Sequence, residues 1–120
     1  MKSCVLLLLL LAPFASADDT GGYQNPDTGN GLYATCTAPE SQNAVYLQQN
    51  AVCLSYIQGA VSTLNFFNHI DIEDGMTNEQ FKDIVLKYLK ENPEQRHYAS
   101  PFSIFLAMVK DFPHKEKAKQ

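Results

Sequence analysis

The feature that most constrains the fold of this chain is a pair of cysteines, Cys36 and Cys53, in a sequence that begins with an export signal. Disulfides form and persist in oxidising compartments, so the two cysteines that remain once the signal and its Cys4 are removed predict a bridge. A bridge across this short loop would stabilise the folded state by about 3 kcal/mol in the chain-entropy model. The alternative is a pair of free thiols, which export disfavours.

The export signal occupies residues 1–17. Lys2 gives it a positive start, and the apolar run Val5–Ala12 is mostly leucine. An A-x-A site then predicts cleavage between Ala17 and Asp18. The apolar run is far shorter than the roughly 18–20 residues that a membrane span needs. This length favours a cleaved signal peptide over the alternative interpretation, a membrane anchor.

The charge balance argues against a nucleic-acid partner. The chain has 9 basic and 13 acidic residues, a net charge of −4, and cleavage removes one of the basic residues, Lys2. Proteins that bind nucleic acid usually present a basic patch, whereas the basic cluster here is only a short tail, residues 115–120. Residues 18–30 are rich in Gly, Asn and Asp, so we expect a flexible leader.

The segments around the two cysteines have the residue spacing of helices. A short first helix is expected over 31–37, with Cys36 on the same face as Leu32. A long second helix is expected over 43–67. Gly59 in its middle costs about 1 kcal/mol relative to alanine, which a close approach of another helix would justify. The predicted apolar stripe of this helix is Tyr46, Cys53, Ile57, Ala60, Leu64 and Phe67.

Two further helices follow a turn at 68–76. The third begins at a capping box formed by Thr77 and Gln80, and the fourth begins with Ser100 as its cap and Pro101 in its first turn. The predicted stripes are Phe81, Ile84, Val85, Tyr88 and Leu89 in the third helix, and Phe102, Phe105, Leu106 and Val109 in the fourth. No segment alternates with a period of two. The sequence therefore predicts an all-α, compact domain of about four helices stapled by one disulfide.

The sequence offers little chemistry for catalysis. The three histidines, His69, His97 and His114, lack the spacing of a metal motif, and neither a nucleophile elbow nor a phosphate-binding glycine loop is present. The carboxylates at 71–74 could imitate a catalytic pair, but a solvated acidic turn is the simpler interpretation. We therefore expect a binding protein and not an enzyme, with no catalytic residues, no cofactor and no metal site.

Several short motifs nevertheless resemble those of a known family. They are a C-x-x-Y-I-x-G piece at 53–59, Gly-Met-Thr at 75–77, Tyr-Leu at 88–89, Asn-Pro at 92–93 and Phe-Pro at 112–113. Over residues 31–114 the chain resembles the Rap/Tai family of immunity proteins of bacterial type VI secretion systems. The C-x-x-Y-I-x-G piece is the most specific part of this resemblance.

The resemblance implies a function that composition does not. Members are small, α-helical and periplasmic, and those studied bind and block the active-site groove of a peptidoglycan amidase toxin. Several are dimers, so the implied partners are an amidase effector and a second copy of the chain. Two alternatives stay open. One is a relative with another periplasmic role, such as an envelope-stress or assembly factor. The other is an acid-activated chaperone that exposes apolar surface at low pH.

The chain departs from the family pattern at two positions. Members commonly carry a second cysteine pair, which would fall here on Asp71 and His114. Loss of the whole bridge predicts that these two residues lie close in space, where a charged pair could interact. For toxin contact, our candidates are residues at the turn and at the start of the third helix. They are His69, Asp71, Glu73, Asp74 and Glu79.

Overall fold

The fold is known from a computed structural model that describes residues 25–39 and 43–117. The predicted signal peptide, its cleavage site between Ala17 and Asp18, most of the leader and the end of the basic tail lie outside the described residues. The helices are α1 (Gly29–Cys36), α2 (Ala44–Phe66), α3 (Asn78–Glu91) and α4 (Ser100–Asp111), with a 3₁₀ turn at Pro93–Gln95. These ranges contain no β-strand, which confirms the all-α prediction. None of the helices found in them is long and apolar enough to cross a membrane.

The long helix α2 lies at the centre of the fold and packs against α1, α3 and α4, while α3 also packs against α4. The predicted disulfide is confirmed. It joins Cys36, the last residue of α1, to Cys53 in the middle of α2, with their Cα atoms 5.1 Å apart. Both cysteines are buried in the apolar core. The short first helix is therefore held covalently against the second.

Helix α3 follows the predicted pattern closely. Thr77 caps it by accepting a hydrogen bond from the Gln80 backbone N–H, and the Gln80 side chain accepts one from the Thr77 backbone N–H. Such a cap stabilises a helix by about 1 kcal/mol. Phe81, Val85 and Leu89 are buried, and the other two members of the predicted stripe pack partly buried beside them.

The buried face of helix α2 differs in part from the predicted stripe. Its buried residues are four apart, namely Gln49, Cys53, Ile57 and Val61. Ala60 and Leu64, both in the predicted stripe, are partly buried beside this row. The last residue of the predicted stripe, Phe67, does not belong to the core, because it follows the end of α2 and is 62% exposed.

Helix α4 buries a different face from the one predicted. Its most buried residues are Ser100, Ser103, Ile104, Ala107 and Met108. In the predicted stripe, by contrast, Phe102 is 48% exposed and the other three residues are only half-buried. The reason is that α4 is apolar on nearly every side, so spacing alone cannot select the inner face. The structure turns the face with Ser103, Ile104, Ala107 and Met108 inward, where α4 meets α2 and α3.

Ser100 has a role other than the predicted one. The cap position of α4 is Ala99, and Ser100 is the first helical residue. Its buried hydroxyl donates a hydrogen bond to the carbonyl of Pro26, and its backbone N–H donates to the carbonyl of Asp27. The serine therefore holds the N-terminal segment against the start of α4.

The folded part of the chain begins earlier than the predicted residue 31, because the residues before it pack against α4. Thr28 caps α1, which begins at Gly29, and Pro26 is buried. A Cβ atom on Gly31 would lie 1.8 Å from the carbonyl oxygen of Asn25. Only glycine allows this close approach of the backbone, so residues 25–30 pack as part of the fold.

Candidate functional site

The candidate contact residues surround the connection between α2 and α3, where an acidic turn comprises Asp71, Glu73 and Asp74. The carboxylate of Asp71 already interacts with other groups of the same chain. One oxygen of Asp71 lies 3.1 Å from Nδ1 of His114, and the other accepts a hydrogen bond of 2.7 Å from the backbone N–H of Lys115. The expected proximity of Asp71 and His114 is confirmed. A side-chain pair therefore stands at the two positions where the sequence analysis expected a missing cysteine pair.

Backbone contacts support this pair on its inner side. Ile70 and Pro113 form an isolated antiparallel bridge, and the Asp71 backbone N–H donates to the carbonyl of Phe112 at 3.1 Å. Ile70 itself is fully buried. We call these contacts together, around Asp71 and His114, the Asp71 clasp. It fixes the segment after α4 to the start of the acidic turn.

The clasp changes the acidity of its carboxyl group. The backbone N–H of Lys115 and, second, the His114 side chain hold the pKa of Asp71 below its ordinary value of 3.8. Hydrogen bonds to an ionised carboxylate favour the charged form, which is why the pKa falls. Asp71 is therefore an anion at neutral pH, and its two oxygens face groups of its own chain.

The other predicted contact residues point to solvent. Glu73, Asp74 and Glu79 are all exposed, and Glu79 lies in the first turn of α3. Gly75 follows the acidic turn with a φ of +86°, a backbone conformation that side chains disfavour. This glycine fixes the reversal of the chain, so the free carboxylates lie on a defined loop next to the start of α3.

His69 connects this loop to a second surface that sequence analysis did not predict. Its ring centroid lies 6.3 Å from that of Phe105, which in turn is 6.5 Å from Phe102. The row of rings continues through Tyr98 at 5.5 Å and His97 at 4.2 Å. We call this row the aromatic strip. It runs from the α2–α3 connection to the loop before α4.

The aromatic strip is open to solvent at most of its length. Phe102 is 48% exposed and Tyr98 39%, and a separate pair at the end of α2, Phe66 and Phe67, is even more exposed. Exposed aromatic side chains of this kind are enriched at the centres of protein interfaces. A signal in the sequence could have found this surface, since residues 97–109 contain no Asp, Glu, Lys or Arg.

The described residues offer few groups of the kinds that hold metal ions or act as thiol nucleophiles. Among residues 25–39 and 43–117, no group of three or more histidines, cysteines or carboxylates could hold a metal ion. Both cysteines of that part of the chain are bonded to each other. What the fold does present is a fixed acidic loop beside an apolar aromatic strip, a combination typical of protein-binding surfaces.

Comparison with known protein families gives a match over most of the described chain. The family model described as Rap1a immunity proteins matches residues 28–113, which cover the fold from the cap of α1 to the Asp71 clasp. No curated protein and no solved structure matches the chain.

Proposed function

The chain belongs to the Rap1a immunity protein family, and from that premise we propose that it is a periplasmic inhibitor of a peptidoglycan amidase toxin delivered by a type VI secretion system. Membership of the family implies an immunity role against a toxin partner. The amidase target, the secretion system and the periplasmic site of action are our proposal. They are supported by the signal peptide that the sequence predicts and by the motifs at 53–59 and 75–77.

The observation that carries this proposal is the agreement between the family match and the folded region. The match begins at Thr28, the cap of α1, and ends at Pro113, the residue bridged to Ile70. The whole helical domain is therefore the family domain. The immunity role belongs to that domain and not to an appended segment.

The fold is well suited to inhibition by binding. A covalent bridge, the Asp71 clasp and the contact of Ser100 with Pro26 hold its helices and its connections in fixed positions. A rigid binder loses less conformational entropy on association than a flexible one, so more of its contact energy appears as affinity.

We propose the acidic turn and the start of α3 as part of the toxin contact. Glu73, Asp74 and Glu79 are exposed, so they are available to pair with cationic groups at the rim of a toxin groove. Asp71 has a different part in this proposal. Because its oxygens are held by the C-terminal segment, it positions the turn and does not itself pair with the toxin.

The proposal is tested with the mature chain, residues 18–120, and the toxin encoded beside its gene. We expect a tight complex in which peptidoglycan hydrolysis by the toxin is lost. The double variant Glu73→Lys/Asp74→Lys should bind at least about tenfold more weakly, since like charges would then face each other. A matched control is Glu91→Lys/Glu94→Lys, which makes the same change of charge at two exposed residues far along α3 and beyond it.

Two results would count against the proposal. If no complex forms and hydrolysis continues, the chain does not inhibit this toxin. If both double variants weaken binding equally, the effect is one of net charge, and the acidic turn is not the contact.

A further inference from the structure

The long helix α2 has a solvent-facing side without any charge. Residues 43–70 contain no Asp, Glu, Lys or Arg, and they include all of α2. A helix at a protein surface normally carries charged or strongly polar residues on its solvent side. Two adjoining hollows, of about 430 and 450 Å³, lie along α2 and share Ser55 and Tyr56. This side of the helix is therefore suited to receive an apolar side chain.

The first of these hollows is open above a glycine. It is bounded by Tyr56, Ala60, Leu64 and Pro101, with Gly59 between them, and we call it the Gly59 hollow. A Cβ atom at Gly59 would meet no atom within 4 Å. The close approach of another helix that the sequence predicted for this glycine is therefore not made within the described part of the chain. Glycine is a poor helix former, and its missing side chain leaves the hollow open.

The folded part of the chain begins beside this hollow. Ser100 directly precedes Pro101, and it donates hydrogen bonds to the carbonyls of Pro26 and Asp27. The Asp27 side chain is close to the hollow as well. Burial raises the pKa of the Tyr56 hydroxyl, and the Asp27 carboxylate raises it further, an effect that requires the two groups to be neighbours. The chain before Pro26 therefore leaves the fold at the rim of the Gly59 hollow.

The place of that exit is fixed by contacts of Asn25. Its side-chain amide donates a hydrogen bond of 2.8 Å to the Asp27 carboxylate, and its side-chain oxygen accepts one of 3.2 Å from the Asp27 backbone N–H. The carbonyl of Asn25 also packs where a Cβ atom of residue 31 would otherwise be. Whatever precedes Asn25 therefore starts from a defined point of the surface.

We propose that Tyr23 fills the Gly59 hollow, so that the leader of the mature chain, residues 18–24, covers this part of α2. Tyr23 is the only large apolar residue of that leader, whose sequence is Asp-Asp-Thr-Gly-Gly-Tyr-Gln. It precedes Asn25 by two residues, which span at most about 7 Å. The hollow begins at Pro101, next to the serine that holds Pro26.

The tether and the chemistry of the ring both favour this occupant. A group joined to the fold by two residues has a high effective concentration at the hollow, so modest contacts are enough to hold it there. A tyrosine ring packs on apolar groups while its hydroxyl stays in water. The nearest charge of the leader, Asp19, is four residues earlier, so no charge enters the hollow. This inference goes beyond the proposed function and does not depend on it, because it concerns the chain without any toxin.

The test is nuclear magnetic resonance spectroscopy of the mature chain, residues 18–120, with no toxin present. We expect nuclear Overhauser effects between the ring protons of Tyr23 and the α-protons of Gly59. Tyr23→Ser should remove them and shift the amide resonances of Ser55 and Gly59, with those of α3 unchanged. Tyr23→Phe, which keeps the ring, should retain the contacts. A wild type without these contacts overturns the proposal.

A second variant fills the hollow from its floor. Gly59→Leu should expel the Tyr23 ring and abolish its contacts with Pro101, while helical circular dichroism is kept, since position 59 is exposed and leucine favours helix more than glycine does. The matched control is Gln58→Leu, at an exposed neighbouring position that does not line the hollow, and it should leave the contacts intact. Contacts that survive Gly59→Leu overturn the proposal. Contacts found only between isotopically labelled and unlabelled copies also overturn it, because the hollow then belongs to a second copy.

Discussion

Two of the contacts that join distant parts of this chain differ in chemistry and in surroundings. The disulfide between Cys36 and Cys53 is buried in the core and holds α1 against the middle of α2. The Asp71 clasp lies at the surface, where Asp71 and His114 are both partly exposed to solvent. The disulfide fixes α1, and the Asp71 clasp fixes the segment after α4. Only the disulfide is covalent.

The difference between them follows from what else supports each segment. Helix α1 has only eight residues, a length at which an isolated helix is unstable in water, so a covalent bond to α2 is valuable there. The segment after α4 is already held by the Ile70–Pro113 bridge and by the bond from the Asp71 backbone to Phe112. A polar pair is therefore sufficient to complete the clasp. The first contact should respond to reductant, and the second to pH.

Removing the covalent contact should have the largest effect on stability. The double variant Cys36→Ala/Cys53→Ala is expected to lose roughly 3 kcal/mol of unfolding free energy, because the loop is no longer closed in the unfolded chain. Urea denaturation followed by circular dichroism measures this loss. Reduction of the wild type should reproduce it, and a loss well under 1 kcal/mol would show that α1 does not need the bridge.

Making the Asp71 clasp covalent should have the next largest effect. Because Asp71 and His114 lie side by side, Asp71→Cys/His114→Cys is expected to form a second disulfide and to gain about 2 kcal/mol, as engineered bridges deliver less than chain entropy allows. A free-thiol assay and the same denaturation experiment measure the outcome. The control pair Glu73→Cys/His114→Cys should bridge much less efficiently. Free thiols in the Asp71→Cys/His114→Cys protein would contradict the geometry of the clasp.

Neutralising the clasp should have the smallest effect and a distinct dependence on pH. The folded-state pKa of Asp71 lies below its ordinary value of 3.8. Its carboxylate therefore contributes stability above the unfolded pKa, and this contribution is lost as the pH falls through the folded-state pKa. Asp71→Asn should lower the melting temperature at pH 7, by less than either cysteine change, and the difference from wild type should shrink as the pH is lowered below 3.8.

The exposed Glu73 provides the control for that experiment. Glu73→Gln removes a charge from the same turn without touching the clasp, so its melting curve should match the wild type at both pH values. If Asp71→Asn and Glu73→Gln behave alike, the hydrogen bonds to His114 and Lys115 do not stabilise the fold.

The sequence predicted some helices better than others, and the reason lies in their composition. In α3, charged residues alternate with a regular apolar stripe, so Phe81, Val85 and Leu89 could be assigned to the core correctly. In α4 nearly every residue up to Val109 is apolar or small, so the same method chose Phe102 and its neighbours, which lie outward. Which apolar face turns inward there is decided by the fit against α2 and α3, a property of the packed structure.

Apart from the disulfide, which the cysteines and the export signal predicted, contacts between distant residues were predictable only where family motifs located them. The motif that begins at Gly75 and the final Phe-Pro pair placed Asp71 beside His114, a pairing that no helical periodicity could suggest. The contact of Ser100 with Pro26 had no such guide, because a serine before a proline resembles a helix cap. The aromatic strip was not predicted as a unit, because His69 lies in the α2–α3 connection and meets the rings at 97–105 only after folding.

The central claim, immunity in the periplasm, is tested most directly by survival. The neighbouring toxin is directed to the periplasm of a susceptible bacterium, together with this protein either carrying its signal peptide or lacking residues 2–17. The account predicts that cells with the exported protein grow normally, while cells that keep it in the cytoplasm lyse as cells without it do. Lysis in the presence of the exported, folded protein would contradict the account.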